Sequence, residues 1–254
     1  MSMPLSKQIV LVTGAGRGFG AAIAAAFARE GARVAINYRN SREGAETLAA
    51  ELGEHSRTFQ ADIRDKDEVT RLVADVTSAF GAPTTVVHNA LADFTFNGDA
   101  RPKLDTLSWE EMTAHLETAL KGALNLIQAV RPGMEKAGFG RVITIGTNLV
   151  QNPVVPYHDY TAAKGALLAL TRTAAAELGP LGITVNMVSG GLLRTTDASS
   201  ATPQAVFDLI ADSTPLRKVT TPEEAADAVL FFASPWARAV TGQNLIVDGG
   251  LVFG

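Results

Sequence analysis

The chain has 254 residues, 46% of them hydrophobic and 19% charged, with a net charge of −4 and no cysteine. That is enough apolar material for one large core, and it excludes a disulfide framework or a thiolate metal site. No basic block is present, so a nucleic-acid partner is not expected. His55, His88, His115 and His158 are scattered without metal-ligand spacing, so no metal is expected either. The amino terminus carries no apolar signal stretch and no run approaches a membrane span, which leads to the expectation of a soluble cytoplasmic protein working on a small molecule.

Residues 8–12 form a short apolar strand that leads into Thr13-Gly14-Ala15-Gly16-Arg17-Gly18-Phe19-Gly20 and an alanine-rich helix reaching Glu30. Strand, glycine turn and helix make the context that dinucleotide binding requires. Glycines let the backbone approach a pyrophosphate, and the helix start offers it N–H groups and a positive dipole end. A second strand over 33–37 ends at Asn37, followed by Tyr38 and Arg39. An acidic residue at this strand end would bind a ribose 2′-hydroxyl and repel a 2′-phosphate. With Asn37 there, and Arg17 and Arg39 close by, the pattern favours NADP(H). A third strand over 58–61 ends at Asp62-Ile63, where an Asp also serves as a turn or helix cap. A fourth over 85–88 ends in His88-Asn89-Ala90-Leu91.

Residues 92–106 read as a surface loop, in which Phe94 and Phe96 either line a substrate channel or anchor the loop to the core. Ser108 and Glu111 have capping-box spacing, and a long helix is expected from there to about Val130, ended by Pro132. The β-branched run 141–145 is a strand, which puts Thr147 just past its end, where open α/β sheets bind ligands. A helix resumes at about Tyr157, and Tyr160 and Lys164 share one face of it. Taken alone, Tyr-x-x-x-Lys is an ordinary helix surface. The Thr147 hydroxyl at a strand end gives it a chemical reading, a phenol made into a tunable acid by a neighbouring ammonium.

A further strand over 183–188 precedes Ser189-Gly190-Gly191-Leu192-Leu193-Arg194-Thr195, and residues 192–216 suit a mobile lid over substrate. Thr221-Pro222-Glu223-Glu224 restarts a helix, and the last strand, 244–247, ends at Asp248-Gly249-Gly250. Strands alternating with helices predict a single-domain, doubly wound, seven-stranded parallel sheet with helices on both faces.

On the glycine turn, the Thr147, Tyr160 and Lys164 constellation and the Asp248-Gly249-Gly250 ending, the chain resembles the short-chain dehydrogenase/reductase family over almost its whole length. More narrowly it resembles the 3-oxoacyl-(acyl-carrier-protein) reductase branch. The resemblance implies a cofactor site built from Gly14, Arg17, Gly18, Phe19 and Gly20, from Asn37, Tyr38 and Arg39, and from Asp62, at the adenine ring, with Ile63. Asn89, Ala90, Gly191, Leu193 and Thr195 complete it, and Tyr160 and Lys164 contact the same cofactor. The implied catalytic residues are Thr147, in place of the family's usual serine, Tyr160 as the acid, and Lys164 lowering its pKa and bonding the nicotinamide ribose. A homotetramer is also implied.

Besides Thr147, four positions depart from the pattern: His88 replaces an asparagine, Leu91 a glycine, Gly190 a proline, and Ala119 an asparagine that in relatives holds a water linking the lysine to solvent. Proton delivery is therefore expected to be impaired or rerouted, with His115, one helical turn before Ala119, as a candidate route. The expected activity is NADPH-dependent reduction of a ketone, specifically a 3-oxoacyl thioester. The rivals are an NADP(H)-binding protein without turnover and a dehydrogenase of a small alcohol or sugar.

Overall fold

The computed structural model describes residues 2–92 and 101–253, so Phe94 and Phe96 lie outside the described residues. Its centre is a sheet of seven parallel strands in the order β3-β2-β1-β4-β5-β6-β7. These are β1 (Ile9–Val12), β2 (Arg33–Tyr38), β3 (Ser56–Gln60), β4 (Thr85–His88), β5 (Gly140–Thr147), β6 (Ile183–Gly190) and β7 (Asn244–Val247). The helices that connect them are α1 (Gly18–Arg29), α2 (Arg42–Leu52), α3 (Lys66–Phe80), α4 (Trp109–Leu116), α5 (Gly122–Ala137), α6 (His158–Leu178), α7 (Gln204–Ser213) and α8 (Pro222–Ala233).

The alternation of side chains along each strand divides the core into two layers. Val10, Val12, Val34, Ile36, Val87 and Ile143 face α1 and α8, where Phe27, Val229 and Phe232 meet them. Their neighbours Leu11, Ala35, Val86 and Val142 face α3, α5 and α6, against Leu72, Val76, Leu126, Val130, Met134 and Leu178. Each such aliphatic side chain withdrawn from water stabilises the fold by roughly 1.5–3 kcal/mol. The winding direction reverses between β1 and β4, and a crevice opens there at the carboxyl ends of the strands.

Both capping boxes form: Ser108 with Glu111 starts α4, and Thr221 with Glu224 starts α8. Pro132 does not end its helix. It lies inside α5, which continues to Ala137 and stops at Gly138, a left-handed residue with φ 59°. One lost N–H is tolerated because the turns on either side of the proline bury Val130 and Met134 in the core. The long helix expected to precede it is also interrupted, by a wide π turn over Glu117–Lys121 that separates α4 from α5. β5 and β6 each run two residues past the expected ends, pairing Thr147 with Gly190, so Thr147 is the last residue of its strand. Among the described residues no helix is long and apolar enough to cross a membrane.

Candidate active site

A cleft of about 390 Å³ runs across the switch point of the sheet. Its middle is the glycine turn between β1 and α1. Gly14 (φ +63°) and Gly18 (φ +55°) hold left-handed conformations that L side chains disfavour. A Cβ at Gly20 would stand 2.4 Å from the Gly14 carbonyl and 2.5 Å from Asn89 Nδ2. The turn is tied to the end of β4 from both sides. Asn89 Nδ2 donates to the carbonyls of Thr13 (3.0 Å) and Gly14 (3.2 Å), while Thr13 Oγ1 accepts from the N–H groups of Asn89 and Ala90 (3.1 Å each). This backbone cradle beside a helix start fits a dinucleotide pyrophosphate. Thr13, the first residue of the glycine motif, is a structural part of it. Leu91 lines the cleft and holds no left-handed conformation, so the chain passes this position without the family's glycine.

One end of the cleft is formed by the ends of β2 and β3. Arg39, Asn40 and Ser41 line it, facing Ala61, Asp62, Ile63 and Arg64. Asn37 reaches the wall, but its side chain is buried and donates to the carbonyls of Phe59 (3.3 Å) and Ala61 (3.1 Å). Tyr38 is packed in the core among α1-facing residues and is not among the residues lining the cleft. Arg17 lines the cleft and pairs with Asp197 at 3.3 Å across its mouth, both side chains being mostly exposed.

The other end holds the reaction centre. Tyr160, in the first turn of α6, is hydrogen-bonded to Thr147 at the end of β5. Lys164, one turn along α6, places Nζ 5.7 Å from the Tyr160 ring centre and donates to the Ile145 carbonyl at 2.6 Å. All three are buried, Thr147 behind Ile145 and Gly146, which line the cleft with Tyr160 and Lys164. Burial pushes the Tyr160 phenol up to about 12, with the Thr147 hydrogen bond drawing it back. Burial likewise brings the Lys164 ammonium down to about 8. The net direction for Tyr160 is opposite to the one expected from the sequence, because desolvation of the phenolate outweighs any help from an ammonium that is turned toward Ile145.

Gly190, Gly191 and Leu193 line the cleft as the chain leaves β6, as do Thr196, Asp197 and Ala198, whereas Thr195 does not. A Cβ on Gly191 would sit 3.1 Å from both Asn148 Nδ2 and Asp248 Cβ. Asn148 Nδ2 donates to Asp248 at 2.9 Å, and Asp248 also accepts from the N–H groups of Gly250 and Val252, so the Asp248-Gly249-Gly250 ending serves to hold this wall.

A family model described as enoyl-(acyl carrier protein) reductase matches residues 14–252. The chain belongs to the short-chain dehydrogenase/reductase family. Among its relatives, the 3-oxoacyl-[acyl-carrier-protein] reductase FabG of Staphylococcus epidermidis is 35% identical over 96% of this chain and 99% of its own length. The enzyme of the same name from Staphylococcus aureus is 34% identical over 98% of this chain and 99% of its own, and the 3-oxoacyl-[acyl-carrier-protein] reductase of Synechocystis sp. is 33% identical over 98% of each. The protein is thus an NAD(P)-dependent oxidoreductase with a doubly wound Rossmann-type fold.

Two of this dehydrogenase/reductase's departures from the family pattern meet in space. Ala119, where relatives carry asparagine, lies buried in the π turn, in a small apolar cluster with Ala123, Ala163, Leu167 and Met187. Its carbonyl accepts a hydrogen bond from His88 Nε2 at 2.9 Å. His115 does not approach Ala119 in this way. Its Nε2 lies 3.5 Å from Asp159 Oδ2, and its ring stands edge-on to Tyr160 at 6.0 Å. Asp159 is buried and also paired with Arg101, whose guanidinium lies 5.5 Å from the Tyr157 ring centre. This charged cluster beside the acid residue was not legible in the sequence, since Arg101 and Asp159 stand 58 positions apart.

Proposed function

We propose that the enzyme reduces the ketone of a 3-oxoacyl thioester to a secondary alcohol with NADPH. The observation that carries this is the pair of hydroxyls, Thr147 and Tyr160, hydrogen-bonded to each other at one end of a cleft whose middle is a glycine cradle. Two hydroxyls so placed are suited to one carbonyl oxygen. The nicotinamide cofactor, when bound, supplies the hydride that goes to the carbonyl carbon. Thr147 holds the carbonyl oxygen by donating a hydrogen bond to it. Tyr160 Oη transfers its proton to that oxygen as the C–O π bond is lost, which leaves a phenolate. Lys164, still largely charged at neutral pH with its pKa near 8, stabilises that phenolate. A phenol kept near 12 stays protonated until the oxygen of the substrate gains charge, so it serves as an acid at neutral pH.

The residues assigned to the cofactor are Gly14, Gly18, Phe19, Gly20, Asn89, Ala90, Gly191 and Leu193 along the dinucleotide, with Lys164 on the nicotinamide ribose. Arg17 and Arg39 serve the 2′-phosphate, supported by their place in the cleft wall. Arg17→Ala and Arg39→Ala should each raise the Kd for NADPH roughly tenfold or more while leaving NADH nearly unchanged. The substrate assignment is supported by relatives whose names state that reaction and which match along almost their full length.

Reduction of an enoyl thioester is the second reading, favoured by the description of the matching family model. Loss of NADPH absorbance with a 3-oxoacyl thioester, a 2-enoyl thioester and a simple ketone separates the readings. Consumption with the 3-oxoacyl thioester alone supports the proposal. Consumption with the enoyl substrate alone contradicts it, and none with any substrate favours a binding protein without turnover.

The same reading includes a cytoplasmic homotetramer and a mobile lid over residues 192–216. Exposed Trp109 on α4 and Leu124 on α5 support association, and light scattering tests it.

A further inference from the structure

We infer that Arg64 is a cofactor-binding residue whose guanidinium forms the surface on which the purine ring of the dinucleotide stacks, and that Asp62 acts through it as a positioning residue. The inference rests on the reading of the cleft as an NAD(P) site and assigns its far end.

Residues 61–64 follow β3 and all line the cleft. Within this turn the Asp62 carboxylate is engaged by one neighbour. Oδ1 accepts from the Arg64 backbone N–H and from Arg64 Nε, both at 3.0 Å. Oδ2 accepts from Arg64 Nε at 3.1 Å and Nη2 at 2.6 Å. An ionised carboxylate offers about four lone-pair sites, and three N–H protons of Arg64 are directed at them, the Nε proton being shared between the two oxygens. The Arg64 guanidinium holds the Asp62 carboxyl below the usual carboxylate range, so the pair stays charged at working pH. The turn is fixed from behind as well, since the Asp62 N–H donates to Glu68 Oε2 at 2.7 Å and the Asp65 N–H to the Asp62 carbonyl at 3.0 Å.

A carboxylate engaged in this way by one neighbour is committed chiefly to Arg64. What the turn can give a ligand is Arg64, whose side chain keeps 35% of its surface exposed while its plane is fixed by the fork on Asp62. A guanidinium is flat, delocalised and weakly hydrated, and it stacks on aromatic faces; one already ordered loses little freedom in doing so. Arg39, Asn40 and Ser41 line the same end from β2, where the ribose and its phosphate are placed, so a purine attached to that ribose lies within reach of the β3 side. A guanidinium also binds phosphate, and the experiment has to separate the two uses.

Binding of NADPH, NADH and reduced nicotinamide mononucleotide, which lacks the adenylate half, is measured by fluorescence titration for the unaltered full chain and for Arg64→Leu, Arg64→Lys and Asp62→Asn. Stacking predicts that Arg64→Leu weakens NADPH and NADH by the same factor, on the order of 2- to 30-fold, and leaves the mononucleotide unchanged. Arg64→Lys should lose about as much, because an ammonium has no plane, and Asp62→Asn should weaken both dinucleotides by a smaller factor. Unchanged binding of both dinucleotides to Arg64→Leu overturns the inference. Weakening of NADPH alone also overturns it, assigning Arg64 to the 2′-phosphate instead. If Arg64→Leu loses the mononucleotide too, the comparison passes to Arg64→Lys, which keeps the charge and the stem, with the same outcomes deciding. An unaltered chain that binds neither dinucleotide is a different result, and it removes the reading of the cleft itself.

Discussion

His88 should make the protein acid-sensitive in a way that one substitution removes. The imidazole is fully buried, with Nε2 bonded to the Ala119 carbonyl and Nδ1 without a hydrogen-bond partner, so protonation would bury a charge and an N–H with no acceptor. Burial, reinforced by the nearby Lys164 charge and only partly opposed by the Ala119 contact, brings its pKa from 6.5 down to about 3. In the unfolded chain the same group titrates near 6.5. Between these values the unfolded state binds a proton that the folded state refuses, so this stability is complete above pH 6.5 and is lost as pH falls toward 3. The slope is about 1.4 kcal/mol per pH unit, which makes the loss about 2 kcal/mol at pH 5. For a chain of this length that is a drop of about 4–8 °C in Tm. Thermal unfolding of the wild type and of His88→Asn from pH 7.5 to pH 5, at fixed protein concentration, isolates the contribution, because His115 and the carboxylates are common to both. The wild-type Tm should fall more steeply by that amount. Parallel profiles would refute the argument that a neutral, buried His88 underlies the difference.

Asn37→Asp, the obvious route to an NADH-preferring variant, should instead destabilise the fold by roughly 3 kcal/mol, because it turns a carboxylate toward the carbonyls of Phe59 and Ala61. Denaturant midpoints check this, and an unchanged midpoint with reversed cofactor preference would show that the side chain faces the ribose. Ala119→Asn should cost about 1–3 kcal/mol by overpacking the cluster around Ala163 and Leu167, with no gain in turnover. A faster enzyme with unaltered Tm would show that the missing amide limits proton supply. Ser108→Ala should cost about 1 kcal/mol through loss of the α4 cap, read from the same denaturant curves, and leave cofactor affinity unchanged.

Much of the fold was legible because strand periodicity and glycine punctuation are local. The apolar runs at β1, β4 and β7 coincide with the expected ranges to within a residue, and the glycine turn, Tyr160 and Lys164 all reach one cleft. The side-chain directions of Asn37 and Tyr38 follow from β2 running one residue past its expected end. With the strand continued to Tyr38, alternation puts Asn37 on the face of Ala35 and Tyr38 on the face of Ile36, which is the observed arrangement. The π turn at Glu117–Lys121 leaves no mark in propensity, since it changes only which carbonyl each N–H finds. The links from Arg101 to Asp159 and from His88 to Ala119 join distant segments and are set by packing alone. Arg64 was passed over because an arginine two residues after an aspartate reads as an ordinary solvated charge until the four contacts are seen together.

The central claim is that Tyr160 delivers the proton to a ketone oxygen. Tyr160→Phe removes that proton and the hydrogen bond to Thr147 while filling almost the same volume. The measurement is the rate of NADPH oxidation with a 3-oxoacyl thioester, set beside NADPH affinity measured without substrate. The account predicts that kcat falls by at least two to four orders of magnitude, the usual contribution of a positioned acid, with Kd for NADPH within a few-fold of wild type. Turnover by Tyr160→Phe within about tenfold of wild type would contradict it and place the acid elsewhere in the cleft.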